Sequence, residues 1–303
     1  MIIIESKSIS KEFKTVRALG DISIQVSEGE IYGFLGLNGA GKTTFIRILL
    51  GMIKPTKGTV SLFGQTVGQN FNLWNDVGYL VETPYSYPNL SVIENLTVYH
   101  TLRQLKEKKL IDEIIEKLYL TDFTHTKEAH LSTGNRQRLG LAKAMMHKPK
   151  LLILDEPVNG LDPEGIVEVR ELLKELSANG TTIFLSSHIL GEISKLANRI
   201  GIIHKGKLLE ELNSEELNNK LIKKLLVKTN DNEQAINYLT NAGYNTVLKN
   251  DEIEIIDKKA ITKPEDISTL LVEKGLPAKQ IYVFTEDLEM YFLRTIEEGK
   301  NNE

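Results

Sequence analysis

The sequence contains Gly36-Leu37-Asn38-Gly39-Ala40-Gly41-Lys42-Thr43-Thr44, which matches the phosphate-loop pattern G-x-x-x-x-G-K-[ST]. An apolar run at 30–35 predicts a buried strand before the loop, and helical spacing at 43–50 predicts a helix after it. Glycines at such a junction let phosphate oxygens approach backbone N–H groups, and the helix N-terminus attracts an anion. We therefore predict a nucleoside triphosphate site; a Gly-rich turn without a ligand is the alternative.

Individual residues of this loop have predicted roles. Lys42 is expected to reach the β- and γ-phosphates, and the Thr43 hydroxyl to bind Mg²⁺. Thr44 is expected to contact the α-phosphate or to cap the helix. The residues whose backbone is expected to surround the phosphates are Gly36, Asn38, Gly39, Ala40 and Gly41.

Composition limits the classes of protein that fit this chain. Its 303 residues suffice for one large and one small domain, and its net charge of −4 argues against a general nucleic-acid binder. The absence of cysteine excludes disulfides and thiolate metal sites. Since no run of eighteen apolar residues occurs, we expect any membrane role to come through a partner.

The pattern of apolar residues predicts an α/β fold with a mixed sheet. Alternating residues up to about position 35 predict an antiparallel β subdomain, which begins with an edge strand. Helical spacing predicts a helical subdomain at about 85–147. Two apolar runs, 151–154 and 181–185, flank a helix that Asp162-Pro163 could start, as in a parallel βαβ unit.

A second unit follows a change to a composition richer in Lys, Asn and Glu. Its order of elements is strand, helix, strand, strand, helix, strand, which predicts a small α+β ferredoxin-like domain. A last helix is predicted at 288–296. We place the two domains at 1–218 and 219–303.

Two carboxylates follow the buried strand at 151–154. Asp155 is expected to hold Mg²⁺, and Glu156 is a candidate general base that polarises the water attacking the γ-phosphate. Ligands sit at the carboxyl ends of strands in open α/β sheets, which favours this interpretation. The alternative is that the two acids cap the next turn.

The stretch Leu131-Ser132-Thr133-Gly134-Asn135-Arg136-Gln137-Arg138 precedes a predicted helix and resembles the signature motif of ATP-binding cassette (ABC) ATPases. The resemblance implies a phosphate-loop ABC-type ATPase fold that binds ATP and Mg²⁺. It also implies a homodimer, in which Ser132 and Gly134 of one copy meet the nucleotide bound by the other.

Further motifs occur in the family's order. The stretch Asn159-Gly160-Leu161-Asp162 resembles the D-loop, and His188 resembles the switch histidine that contacts the γ-phosphate. Phe13 lies where the family places an aromatic residue against adenine, although a core position is the alternative. The match covers roughly residues 1–215.

The chain departs from the family's pattern in three places. Thr133 and Asn135 replace a Gly and the Gln of the signature. Glu82 stands where most of the family has a Mg²⁺-binding glutamine that senses the membrane subunit. A carboxylate there would keep a ligand oxygen and offer an ion pair to a partner. A solvated loop acid is the alternative.

The segment Glu82-Thr83-Pro84-Tyr85-Ser86-Tyr87-Pro88-Asn89-Leu90-Ser91 resembles ATPases that export bacitracin and lantibiotics. The resemblance implies an ATP-hydrolysing subunit that powers a separate membrane permease from the cytoplasmic face of the membrane. It further implies peptide-antibiotic export or self-immunity. An exporter ATPase for another substrate and a nucleotide-dependent regulator without transport are the alternatives.

Overall fold

The computed structural model of the protein describes residues 1–82 and 85–301, so that Thr83 and Pro84 of the predicted Glu82–Ser91 segment lie outside it. The strands are β1 (Ile2–Phe13), β2 (Val16–Ser27), β3 (Ile31–Leu35), β4 (Lys57–Leu62), β5 (Gln65–Thr66), β6 (Val77–Leu80), β7 (Leu151–Asp155), β8 (Thr182–Ser187), β9 (Arg199–His204), β10 (Lys207–Asn213), β11 (Lys223–Lys228), β12 (Thr246–Lys249), β13 (Glu252–Ile255) and β14 (Gln280–Thr285).

The helices are α1 (Lys42–Leu49), α2 (Val92–Leu102), α3 (Lys109–Lys117), α4 (Thr133–Met145), α5 (Pro163–Ala178), α6 (Leu190–Ile193), α7 (Ser214–Lys220), α8 (Asn232–Asn241), α9 (Lys258–Thr262), α10 (Pro264–Glu273) and α11 (Leu288–Asn301). Short 3₁₀ turns cover Phe71–Asp76, Thr121–Phe123 and Glu128–His130.

Three sheets organise the described residues. The first has the order β2-β1-β4-β5 and is antiparallel. The strand order of the second is β10-β9-β3-β8-β7-β6, with parallel pairing from β9 to β6 and β10 antiparallel to β9. This is the expected mixed sheet. Because β1 lies between β2 and β4, the prediction that the N-terminal run is an edge strand is wrong.

Burial explains why the central strands are parallel and apolar. Every residue of β3, β7 and β8 is buried, as expected for strands covered on both faces. A core cluster that includes Phe34, Phe45 and Phe184 connects these strands with α1 and the first sheet. The ring centroids of Phe34 and Phe45 are 5.1 Å apart. This packing fixes the start of α1 relative to the ends of β7 and β8.

Helix starts agree with local sequence signals. The side chain of Ser91 caps α2 in a capping box with Glu94, and the side chain of Asp162 caps α5 ahead of Pro163. The region from α2 to α4 is the helical subdomain expected at about 85–147.

The chain divides between Glu215 and Glu216, and the last turns of α11 from Thr295 group with the first unit. Our predicted boundary lies at 218/219, and the predicted second domain continues without interruption to 303. This assignment of domains stays a prediction. Within the second unit, the sheet order is β12-β13-β11-β14, with antiparallel pairs throughout. The expected βαββαβ order is present, with the short α9 as an addition.

Candidate functional site: a phosphate loop facing two acidic strand ends

The phosphate loop connects β3 to α1, as the sequence predicts. Gly41 is the N-cap of α1 with a φ of 112°, and as a glycine it has no side chain with which to cap the helix. A Cβ at Gly36 would lie 2.7 Å from the carbonyl oxygen of Ile203, so only glycine fits there. Asn38 and Gly39 are exposed, Ala40 is buried and Thr44 is half-buried. The first N–H groups of α1 therefore remain for an anion.

Lys42 points its ammonium group back over the loop. Its Nζ donates to the carbonyl oxygen of Gly36 at 2.7 Å and lies 3.3 Å from Glu156 Oε1. Only 7% of the Lys42 side chain is exposed, and 20% of that of Glu156. A largely buried charge needs a partner of opposite sign, and here the acid at the end of β7 supplies it.

Thr43 and Asp155 form the predicted magnesium position. The Thr43 hydroxyl donates to Asp155 Oδ2 at 2.7 Å, and the Ser186 hydroxyl donates to Oδ1 of the same carboxylate at 2.5 Å. Asp155 and Ser186 are paired residues of the parallel strands β7 and β8. Hydroxyl and carboxylate oxygens are the ligand types that Mg²⁺ prefers, so these residues fit the ion.

Protein ligands alone do not complete this position. Among residues 1–82 and 85–301, no group of three or more His, Asp or Glu side chains could hold a metal ion. Mg²⁺ in nucleotide sites takes its remaining ligands from phosphate oxygens and water. The arrangement of Thr43 and Asp155 is therefore suited to a metal that arrives with a nucleotide.

Glu156 has a left-handed backbone, with φ of 51°. Its N–H donates to the carbonyl oxygen of Ser186 at 3.2 Å and to the hydroxyl at 3.1 Å. Gln137 Nε2 donates to the carbonyl oxygens of Glu156 and Pro157, both at 3.0 Å. These bonds fix the backbone of Glu156 and leave its carboxylate to interact with other groups.

That carboxylate also contacts His188. The backbone N–H of His188 donates to Glu156 Oε2 at 3.2 Å, and the ring Nδ1 lies 2.8 Å from the same oxygen. The His188 side chain is 43% exposed. The predicted general base thus bridges the two groups, Lys42 and His188, that we predict for the γ-phosphate. Asp155 contacts Thr43 and Glu156 contacts Lys42, which favours the predicted roles over the alternative that the two acids only cap a turn.

A cavity of about 320 Å³ opens next to these groups. Its lining includes Thr43, Glu82, Thr133, Arg136, Gln137, Asp155, Glu156 and Asn159. The cavity therefore joins the phosphate loop, the two acidic strand ends and the first residues of α4.

The signature segment lies at the start of α4. The Ser132 hydroxyl accepts the Asn135 N–H at 3.1 Å as the N-cap, which leaves its own O–H free to donate. A Cβ at Gly134 would lie 3.1 Å from the Gly160 carbonyl oxygen, so the signature and D-loop segments are closely packed. Asp162 caps α5 by accepting the Gly165 N–H at 3.0 Å.

Two predicted residues lie at the border of the site. Glu82 has φ of 54° and forms an ion pair of 2.7 Å with Arg47, with 55% and 41% of these side chains exposed. It lines the same cavity as Thr43. Phe13, at the end of β1, is 46% exposed, so the alternative of a core position is wrong. The Lys11 ammonium lies 4.9 Å from the centroid of its ring.

Sequence reasoning missed three residues of the site, namely Ser186, Gln137 and Arg47. Ser186 lies two residues before His188. Its contact with Asp155 depends on the register of β7 and β8, which no local motif encodes. Arg47 lies in the last turn of the helix that begins at Lys42, and its acidic partner Glu82 is 35 residues away in the sequence, so no local signal indicates the pair.

The family model described as "ABC transporter" matches residues 19–159. The chain is 38% identical to the bacitracin transport ATP-binding protein BcrA of Bacillus licheniformis, over 98% of both chains. It is 39% identical to BcrA of Enterococcus faecalis, over 98% of this chain and 97% of the relative. The lantibiotic transport ATP-binding protein SrtF of Streptococcus pyogenes is 35% identical over 73% of this chain and 97% of its own.

Solved structures are similar to about 70% of the chain. The structure of an ATP-binding subunit of an ABC transporter has a TM-score of 0.67 and 28% identity, and it covers 72% of this chain and 92% of its own. A dimeric post-hydrolysis structure of the cassette MJ0796 bound to ADP and Pi has a TM-score of 0.66 at 23% identity, over 70% and 99%. In the described part of the chain, we find no helix with the length and apolar character needed to cross a membrane.

Proposed function

The chain belongs to the ABC transporter family and is an ATP-binding ATPase subunit, and from this premise we propose that it powers the export of peptide antibiotics through a separate permease. In this proposal, Mg²⁺ and ATP bind at the phosphate loop of each of two copies. The proposed location is the cytoplasmic face of the membrane, where the subunit would be held by its permease.

The catalytic part of this proposal rests on the position of the Glu156 carboxylate. It lies between Lys42 and His188 and beside a Thr43–Asp155 pair suited to Mg²⁺. A general base must be within hydrogen-bond reach of the water that it activates. With the γ-phosphate bound by Lys42 and His188, the Glu156 carboxylate would face the attacking water. Binding of the phosphate would release it from its present partners.

The N-terminus of α4 supports the proposal that two copies dimerise when they bind ATP. Phosphate groups are favoured at a helix N-terminus, where Ser132 has an O–H to donate and Gly134 has no side chain to block access. We propose that this end of one copy closes over the nucleotide bound to the second copy. Asp162 and the D-loop, which pack against Gly134 through Gly160, would lie in the same interface.

A second cavity, of about 440 Å³, is the proposed contact with the permease. Its lining includes four tyrosines, Tyr79, Tyr85, Tyr87 and Tyr99. Glu82 also lines it and so takes part in both cavities. At its wall, Lys143 Nζ donates to the Ser86 hydroxyl at 2.6 Å, and burial lowers the pKa of Lys143 to about 8. Exposed aromatic residues of this kind are enriched at protein interfaces.

The cargo class rests on the two BcrA relatives, which match the chain over nearly its full length, including the C-terminal unit. Their names assign bacitracin transport to those proteins, and SrtF is named for lantibiotic transport. We propose that this chain acts on the same chemical class, namely cyclic or cross-linked peptides directed against the cell envelope.

The test is a susceptibility panel in the source strain. Strains carrying wild type, Glu156→Gln or Glu116→Gln would be compared for the inhibitory concentrations of bacitracin, several lantibiotics and unrelated drugs. Glu116 is an exposed residue of α3 outside both cavities and provides the matched control. Sensitisation by Glu156→Gln alone, limited to envelope-directed peptides, is the expected result.

Other results would point to the alternatives. Sensitisation to unrelated drugs instead would indicate an exporter ATPase for another substrate. An unchanged panel, together with altered expression of other genes in the Glu156→Gln strain, would favour a nucleotide-dependent regulator.

A further inference from the structure

Strand β14 forms an open edge of the sheet in the C-terminal unit. It pairs with β11 on one side, and the sheet ends there in the order β12-β13-β11-β14. Its sequence, Gln-Ile-Tyr-Val-Phe-Thr at 280–285, contains no charged residue. Tyr282 and Val283 are 45% and 40% exposed. An uncharged edge strand with exposed apolar side chains is a template for pairing with another strand.

The other sheet edges in residues 1–82 and 85–301 are protected. Strands β2 and β10 carry charges, β5 has two residues, and β6 and β12 have four each. Short length and charge are the usual ways in which proteins prevent edge pairing. Among these edges, β14 is the one that combines six residues with an absence of charge. This contrast indicates that the free edge of β14 pairs with another strand.

The free hydrogen-bonding groups of β14 can be assigned to residues. The Glu286 N–H donates to the Ile222 carbonyl oxygen at 2.8 Å, in line with the β11–β14 register. Because hydrogen-bonded and non-bonded pairs alternate in antiparallel strands, Tyr282 and Phe284 bond to β11. The backbone N–H and C=O groups of Ile281, Val283 and Thr285 therefore point away from the sheet.

We propose that β14 pairs antiparallel with β14 of a second copy of this chain, about a two-fold axis at Val283, and that no nucleotide is required. Cross-strand neighbours would then be Tyr282 with Phe284 of the partner subunit, and Ile281 with Thr285 of the partner subunit. Aromatic pairs of this kind stabilise sheets, and the strand brings no like charges together. The pairing joins two sheets of four strands into one of eight.

Charge complementarity at the ends favours a second copy over an unrelated peptide. In this register Lys279, just before β14, lies opposite Asp287 of the partner subunit, just after it. Both residues are exposed. The two-fold axis creates this pair twice, once at each end of the paired strands. An isologous interface requires such self-complementarity.

The test is sedimentation velocity of the full chain without nucleotide, at about 1–100 µM, the range in which a weak dimer dissociates. Wild type is expected to dimerise. Val283→Lys would place two ammonium groups opposite each other and should weaken the dimer at least about tenfold. The matched control is Val247→Lys on the short edge strand β12, where the valine is 55% exposed. This control should leave the dimer unchanged.

A charge-swap pair and a cysteine variant further test the register of the proposed pairing. Lys279→Asp and Asp287→Lys should each weaken the dimer by about 2- to 10-fold, and the double variant should restore it. Because Asp287 also caps α11 by accepting the Met290 N–H at 2.8 Å, urea denaturation of each variant checks that it is folded. Because the chain has no cysteine, Val283→Cys introduces a single thiol, which should form an intermolecular disulfide on oxidation. Val247→Cys should not.

Three outcomes would overturn the proposal. They are a wild-type chain that stays monomeric without nucleotide, equal effects of Val283→Lys and Val247→Lys, and a dimer that Val283→Cys does not cross-link. None of these outcomes would contradict ATP-dependent dimerisation. Failure of the proposed β14 pairing is therefore distinguishable from failure of the proposed function.

Discussion

Glu82 and Glu156 are two acids in corresponding places with different surroundings. Each closely follows one of the adjacent parallel strands β6 and β7, and each has a positive φ. Each also forms an ion pair with a basic residue of α1, Arg47 or Lys42. The exposed fractions differ: 55% and 41% for Glu82 and Arg47, but 20% and 7% for Glu156 and Lys42.

This difference in burial should decide which pair controls the chemistry. Exposed ion pairs are worth about 0–1 kcal/mol because water screens them. Charges away from water interact more strongly and cannot lose a partner without a large cost. Glu156 interacts with His188 in addition to Lys42. The partner of Glu82 is Arg47, whose side chain is exposed to water. We therefore expect the Glu156 pair to govern binding and hydrolysis of ATP, and the Glu82 pair to adjust them.

The largest expected effect is that of Glu156→Gln. An amide cannot accept the proton of the attacking water, so ATP hydrolysis should fall by about 10²- to 10⁴-fold. The variant should accumulate as an ATP-bound dimer, measurable by size-exclusion chromatography with ATP and Mg²⁺. Glu82→Gln is the control, expected to retain hydrolysis. A Glu156→Gln protein that stays monomeric with ATP would contradict the dimer proposal.

Lys42→Ala tests the same pair from the other side. Loss of the ammonium removes charge-assisted bonds to the phosphates, each worth about 1.5–3 kcal/mol, so the Kd for ATP should rise at least about tenfold. Calorimetric titration with ATP measures this change. Arg47→Ala removes a partly exposed cation from the last turn of the same helix and should change the Kd only slightly. Similar losses from both variants would mean that burial does not distinguish the two pairs.

Ser186→Ala should have an intermediate effect on stability. Its hydroxyl donates to Asp155 Oδ1 and accepts the Glu156 N–H, so alanine leaves a buried carboxylate with one donor fewer. The expected loss in the free energy of unfolding is about 1–3 kcal/mol. Denaturation with urea measures it, and the Mg²⁺ dependence of hydrolysis should shift as well.

The neighbouring Ser187 provides the control for this substitution. It is equally buried, and its hydroxyl accepts the Ile189 N–H; within residues 1–82 and 85–301, no carboxylate bonds to it. Ser187→Ala should cost less, about 0.5–1.5 kcal/mol, with an unchanged Mg²⁺ dependence. If the two variants behave alike, the role of Ser186 beside Asp155 is only structural.

The sequence predicts much of this site because its motifs lie at the ends of elements. Lys42 begins α1, Glu156 follows β7 and His188 follows β8, so that recognising two strands and a helix brings the three together. The same reasoning predicts the βαββαβ order of the C-terminal unit. In both cases, apolar periodicity and turn residues carry the information locally.

What the sequence could not supply is register and pairing between distant segments. The Ser186–Asp155 contact depends on how β7 and β8 align, and the Gln137–Glu156 contact on which side of α4 faces β7. The sequence predicts Glu82 to be a Mg²⁺ ligand or a solvated acid, and no local pattern indicates its ion pair with Arg47 of α1. Tertiary packing decides such contacts, because several partners are compatible with the same local pattern.

The smallest expected effect belongs to the Arg47–Glu82 pair and tests the comparison most sharply. A double-mutant cycle with Arg47→Gln, Glu82→Gln and the double variant should give a coupling of about 0.2–1 kcal/mol in the free energy of unfolding. The coupling should shrink at high salt, because the pair is exposed.

A coupling well above that range, or one insensitive to salt, would contradict a surface ion pair and place Glu82 beside Glu156 in importance. A small coupling would mean that Glu82 can leave Arg47 at little cost. Since Glu82 lines both the cavity beside the phosphate loop and the aromatic cavity, a weakly held carboxylate could exchange Arg47 for Mg²⁺ or for a basic group of a partner. Its weakness as an ion pair would then be the property that lets it connect the two cavities.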